Sequence, residues 1–163
     1  LDELESIGKK NLMIWPFHCM EGSTGRALVP ALMEAVTYHS GARMAQPTFL
    51  TKGTIAHTEF YSVVEPDVKY SKHPEGGLNT RFLEMIAQFD LIYVAGQARS
   101  HCVLETMNSV MRHFANQPEV IRKLRFLDDC TSSIPGFEQE TENRIRQFAQ
   151  QGVKMVKSTD PIG

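Results

Sequence analysis

Residues 91–95, Leu-Ile-Tyr-Val-Ala, form an apolar run without polar alternation, and Gly96 follows at once. A strand with one wet face alternates polar and apolar side chains. A run without alternation is covered on both faces, as a central parallel strand is. Four other short apolar runs read as buried strands: 12–15, 48–50, 124–127 and 153–156. Helical patterns lie between them. Ala27–Pro30 opens the first, with Pro30 in its first turn, Leu32, Ala35 and Val36 on its apolar face to about Tyr38, and Gly41 as its stop. Asn79 is placed to cap the second, which carries Phe82, Leu83, Ile86 and Phe89 at helical spacing. The third spans about 102–114 with Val103, Met107, Val110 and Met111, and the fourth 137–151 with Ile145 and Phe148 inward. Strand and helix alternate through the second half, which argues an α/β fold with a parallel sheet.

Composition narrows the function classes. The chain has 163 residues, 42% hydrophobic and 22% charged, enough for one ordinary globular domain, residues 1–163. A net charge of −2 leaves no electrostatic footprint for nucleic acid. No apolar run approaches the roughly 20 residues of a membrane span, and the acidic opening Leu1–Glu5 does not read as a secretory signal. Cys19, Cys102 and Cys130 are odd in number and widely spaced, so they form no disulfide framework. A reducing, cytoplasmic setting is the expectation.

In parallel α/β sheets the chemistry lies at the carboxyl ends of the strands. The segments to search are therefore 15–19, 52–61, 96–102 and 128–133. The most informative is Val94-Ala-Gly-Gln-Ala-Arg-Ser-His-Cys-Val103. Gly96 and Ala98 permit a sharp turn, and Cys102 falls at or just inside a helix N-terminus. There the helix dipole favours a thiolate, and free N–H groups can hold an oxyanion. His101 is adjacent in sequence, but helical neighbours point about 100° apart, so adjacency does not make it the base. Asp129 is expected to cap its own turn through Thr131 or Ser132. Cys19 and Cys130 read as structural.

Three blocks together resemble a known family. Gly96–Val103 resembles the nucleophile turn of the isochorismatase-like cysteine hydrolases, which include the nicotinamidases. Trp15-Pro-Phe-His-Cys19 with Gly22-Ser-Thr-Gly25 resembles a nicotinamidase block, and Phe49-Leu-Thr-Lys-Gly53 resembles the strand ending in the family's catalytic Lys-Gly. The likeness runs from about Gly8 to Val156. It implies a three-layer α/β/α fold with a Rossmann-like, mostly parallel sheet. It implies a cysteine-dependent amidohydrolase that acts on a small nicotinamide-like amide through a thioester and releases ammonia. By position Cys102 matches the nucleophile and Lys52 the triad lysine. The N–H groups of Ala98 and Cys102 match the oxyanion hole, with a cis Gln97–Ala98 peptide. Trp15 and Tyr61 match pocket walls, and Gln97 adds a polar group near the acyl site. His18 matches one ligand of a divalent metal (zinc, iron or manganese), and no organic cofactor is implied. The partners expected are a small-molecule amide and a second copy in a homo-oligomer, with no nucleic acid and no membrane.

The sequence also departs from the family. No Asp-x-Gln block precedes Trp15, so the third catalytic residue and the other metal ligands are missing, and so is one central strand. The expectation is that upstream residues complete the domain. The alternative function is a family member that binds or scaffolds without hydrolysis. Arg99 is expected on the helix surface, the other possibility being a pocket-facing charge. Residues 55–74 are expected to form a lid or a subunit contact.

Overall fold

The computed structural model describes residues 14–162, and the chain divides into two compact units between Leu50 and Thr51. Among the described residues of the first unit the one α-helix is α1 (Pro30–Arg43). Pro30 takes the first helical position, where a missing N–H costs nothing. The helix does not stop at Gly41 as expected. It runs on to Arg43, and Met44, at φ 48°, closes it in the left-handed conformation by donating to the Gly41 and Ser40 carbonyls. No residue of α1 is buried, and Leu32, expected on a core face, is 49% exposed. Helical spacing identified the helix, but burial of a face needs a partner element, and residues 14–50 offer no second α-helix or strand. The expected strands at 12–15 and 48–50 are not found. Leu12 and Met13 lie outside the described residues, while Ile14, Trp15 and Thr48–Leu50 join no ladder. Such short runs without a pairing partner have nothing to hold them in a sheet.

The second unit carries the expected α/β alternation. Its elements are α2 (Thr80–Ala87), β1 (Ile92–Val94), α3 (Leu104–His113), α4 (Pro118–Ile121), β2 (Leu124–Leu127), α5 (Glu138–Gln150) and β3 (Lys154–Val156). The three strands form one parallel sheet in the order β1-β2-β3, with Tyr93 opposite Arg125 and Phe126 opposite Met155. Asn79 caps α2 by accepting the Phe82 N–H at 3.1 Å, a contact worth about 1 kcal/mol. Leu83 is fully buried, but Phe89 lies beyond the end of α2 and is exposed rather than inward. One apolar core joins Leu83, Met107, Phe114, Leu124, Phe126 and Phe148. No helix among the described residues is long and apolar enough to cross a membrane.

Residues 51–79 contain no regular element, yet Ile55, Phe60–Ser62 and Val64–Asp67 are buried. These residues pack into their own unit. Gly76 closes its turn because any Cβ there would sit 1.8 Å from the Tyr70 carbonyl oxygen. Glu65 anchors the stretch to α3. It accepts the Ser109 hydroxyl at 2.6 Å and pairs with Lys69 and Arg112. Burial pushes the Glu65 carboxyl up, but the hydrogen bonds from Lys69 and Ser109 and the two cations outweigh it and hold it below its ordinary 4.5. A depressed carboxyl adds stability above its unfolded value and loses it as pH falls through the folded one. Stability is therefore expected to drop on acidification below about pH 4.5 more steeply in the parent than in Glu65→Gln. At pH 7 the substitution is expected to cost about 1–2 kcal/mol, kept small because both cationic partners are over half exposed. Thermal unfolding followed from pH 3 to 7 checks both statements.

Candidate active site

The chain leaves β1 through Gly96, whose φ of 136° excludes most side chains. A Cβ there would also meet Val103 at 3.6 Å. The Gln97–Ala98 peptide is cis, as the family likeness implies. Residues Arg99–Val103 then form one π-helical turn ahead of α3, and the Ala98 carbonyl accepts both the His101 and the Val103 N–H at 3.1 Å. Such wide turns recur at functional sites. The turn is strapped down by the segment after β2. Gly96 N–H donates to the Cys130 carbonyl at 3.2 Å, Arg99 N–H to Ser132 at 2.8 Å, and Ile134 N–H to the Ser100 hydroxyl at 3.0 Å. Gln97 is exposed, and its amide lies against Ser132.

Arg99 is not the surface residue expected. It is 8% exposed and bonds Asp128 at 2.7 Å and Glu142 at 2.9 Å, with its guanidinium 5.4 Å from the centre of the Phe126 ring. Two carboxylates compensate the buried charge, and the rigid fork ties the turn to β2 and α5. The sequence placed Arg99 by helical position alone. Nothing local announced partners 29 and 43 residues further on.

The structure brings Cys102 and Lys52 together. Lys52 Nζ lies 2.8 Å from Cys102 Sγ, 3.0 Å from the Tyr61 carbonyl oxygen and 3.1 Å from that of Phe60. An ammonium has three N–H donors, and here three acceptors meet them. Lys52 and Cys102 are both half-buried, where water screens a charge less than at the surface. The Tyr61 side chain is buried with its ring 5.6 Å from that of His101. His101 is buried beside this ring. Its Nδ1 meets the Ser100 hydroxyl at 2.9 Å, and its ring packs edge-on against Phe137. Thr106 accepts the Val63 N–H and donates to the Cys102 carbonyl, which docks the 60–63 segment on the Arg99–Val103 turn. The two carbonyls that hold Lys52 were invisible to sequence reasoning, which sees side chains and not backbone acceptors.

Trp15 and His18 belong to the first unit. Trp15 is half-buried, and His18 is exposed with Nδ1 2.6 Å from the Pro16 carbonyl oxygen. A metal-ligating histidine carries an outer-shell bond of this kind on one ring nitrogen and would bind through the other, here Nε2. Among the described residues, however, no group of three His, Cys, Asp or Glu gathers to hold a metal. The described ligand set therefore does not fit a metal by itself. Cys19 is exposed at φ 51°, not a buried hydrophobe, and Cys130 is half-buried. Asp129 does not cap its own turn. It accepts the backbone N–H and the hydroxyl of Ser158 beyond β3, and these bonds hold its carboxyl below the usual range.

No protein-family model and no curated protein matches the chain. Solved structures do. A yeast nicotinamidase superposes with a TM-score of 0.57 at 21% identity, over 88% of this chain and 58% of that one. A nicotinamidase/pyrazinamidase from Acinetobacter baumanii gives 0.56 at 20% identity, over 90% and 60%. A Pyrococcus horikoshii pyrazinamidase, solved with zinc, gives 0.54 at 19% identity, over 88% and 63%. The chain thus spans about three fifths of the length of the structures it matches. Over that span, this chain has the α/β fold of the nicotinamidases and pyrazinamidases, the isochorismatase-like hydrolase fold.

Proposed function

We propose that this chain carries the nucleophile and the lysine of a cysteine amidohydrolase acting on a small aromatic amide of the nicotinamide type. The observation that supports this most is the Lys52 ammonium 2.8 Å from the Cys102 sulfur, at a wide turn between a parallel strand and a helix. An adjacent cation favours the thiolate, the nucleophilic form. The thiolate attacks the amide carbonyl carbon, and the oxygen takes the charge. The Ala98 and Cys102 N–H groups are the donors assigned to that oxyanion. The C–N bond then breaks, the nitrogen takes a proton and leaves as ammonia, and a thioester remains. Water attacks the thioester carbonyl, the C–S bond breaks, and the carboxylic acid leaves with the thiol restored.

The thiol proton needs an acceptor that later protonates the leaving nitrogen. Cys102 Sγ has Lys52 as its hydrogen-bond partner and no carboxylate partner among the described residues, so we assign the base to a carboxylate outside residues 14–162. A metal enters this reading only with ligands beyond His18, and no step above passes through one.

The test has two readouts on the full-length protein. Ammonia and the corresponding acid are expected from nicotinamide or pyrazinamide, and release from neither overturns the reading. Iodoacetamide at neutral pH is expected to label Cys102 at least about tenfold faster than Cys19 or Cys130. Accessibility alone predicts the opposite order, because Cys19 is exposed and Cys102 half-buried. Labelling led by Cys19 therefore counts against an activated Cys102. Selective labelling with no ammonia from any amide favours the binding alternative.

A further inference from the structure

The Lys52 ammonium is held by the carbonyls of two successive residues, Phe60 and Tyr61. Aiming both at one point fixes the backbone between them, in a segment outside any helix or strand. Something must hold that segment still. The Phe60 carbonyl and the Tyr61 N–H belong to one peptide group. On its oxygen side that peptide receives Lys52 Nζ at 3.1 Å. On its nitrogen side it donates to Asp67 Oδ2 at 2.9 Å. Asp67 also grips the residue before the pair, because its own N–H donates to the Glu59 carbonyl at 2.8 Å. Asp67 is 4% exposed and follows Pro66, which is fully buried and has a fixed φ.

We propose that Asp67 is a positioning residue for the candidate catalytic lysine, acting through the Phe60–Tyr61 peptide. The inference rests on the amidohydrolase reading for its purpose, but its geometry stands apart from any turnover. A carboxylate on the N–H of a peptide polarises the carbonyl at its other end, and hydrogen bonds in such a chain strengthen one another. The carboxylate, the peptide dipole and the ammonium line up head to tail. This holds the positive charge at the sulfur. Asp67 lies one peptide further from the sulfur than the ammonium does. Its own repulsion of a thiolate is therefore smaller than the attraction it directs.

The test is a double-mutant cycle on Cys102 alkylation, in a Cys19→Ser/Cys130→Ser background of the full-length protein, with iodoacetamide at neutral pH as the probe. Asp67→Asn keeps an acceptor for the Tyr61 N–H and removes the charge. It is expected to slow alkylation about fivefold. Asp67→Ala removes the acceptor as well and is expected to slow it about tenfold. In a Lys52→Met background either change is expected to alter the rate by less than about twofold, since the residue it acts through is gone. A merely structural aspartate would slow alkylation equally in both backgrounds, and that result, or no effect in either, overturns the proposal. If Asp67→Ala does not fold, the cycle with Asp67→Asn decides alone. Ammonia release is measured on the same variants. Coupling without amide turnover keeps the Asp67 assignment and removes the amidohydrolase reading, whereas turnover without coupling does the reverse.

Discussion

Cys102→Ala is expected to lower ammonia release from nicotinamide by at least about 10⁴-fold while leaving the fold intact. Removing the nucleophile of an acyl-transfer site leaves only the binding and oxyanion contributions, and the loss in such systems runs from about 10⁴ to 10⁶. The fold should tolerate the change, because Cys102 is half-buried and its sulfur's hydrogen-bond partner is Lys52. Lys52 would keep two of its three acceptors. The melting temperature is therefore expected within about 2 °C of the parent, a shift of at most about 1 kcal/mol. Activity above a tenth of the parent in the folded variant would remove Cys102 from the chemistry. Cys102→Ser separates thiol from oxygen chemistry. A hydroxyl gains little from the ammonium at neutral pH, so this variant is expected to be nearly as slow as the alanine one.

How far the sequence reaches depends on how local the signal is. The β2 run at 124–127 and the Asn79 cap are decided by neighbours in the chain, and each appears close to its expected place. The turn at Gly96–Cys102 was legible for the same reason. Its glycine and small residues determine the backbone before any packing does. The run at 91–95 also forms a strand, but not the covered central one expected: among the described residues β1 ends the strand order, none of its residues is buried and Tyr93 is 40% exposed, because composition marks a strand and its sheet neighbours decide its cover. The failures are non-local. Residues 12–15 and 48–50 have strand-like composition, but a strand exists only through its partner, and they join none among the described residues. Leu32 has the spacing of a core face, but spacing does not supply the element it would pack against.

The candidate site divides in the same way. Lys52 and Cys102 were each visible as motif residues, and the structure places them in contact across 50 residues of sequence. Arg99 was misread because its two carboxylate partners come from β2's end and from α5. Asp129 was given a neighbouring partner when its actual partner, Ser158, lies past β3. The Phe60 and Tyr61 carbonyls leave no side-chain signature at all. A reading confined to side-chain types finds the candidate reacting groups and misses the backbone that holds them.

Lys52→Met is expected to slow iodoacetamide labelling of Cys102 about tenfold and to lower amide turnover by at least about 10²-fold. Methionine matches the length of the lysine stem and removes the charge, so the sulfur loses its cationic hydrogen-bond partner. The Phe60 and Tyr61 carbonyls also lose their donor, in a stretch where Phe60 and Tyr61 are buried. An unsatisfied buried carbonyl costs about 1–3 kcal/mol, so the variant should also melt lower than Cys102→Ala. Lys52→Arg tests whether charge alone suffices. A planar guanidinium directs its donors in a rigid fork and cannot converge three N–H groups from one atom on two carbonyls and a sulfur. It is therefore expected to restore stability in part and turnover hardly at all. Full turnover in Lys52→Arg would show that any nearby positive charge serves. Unchanged labelling in a folded Lys52→Met would show that the 2.8 Å contact does not activate the thiol. The difference between the two variants measures what the three-acceptor cradle adds beyond a positive charge.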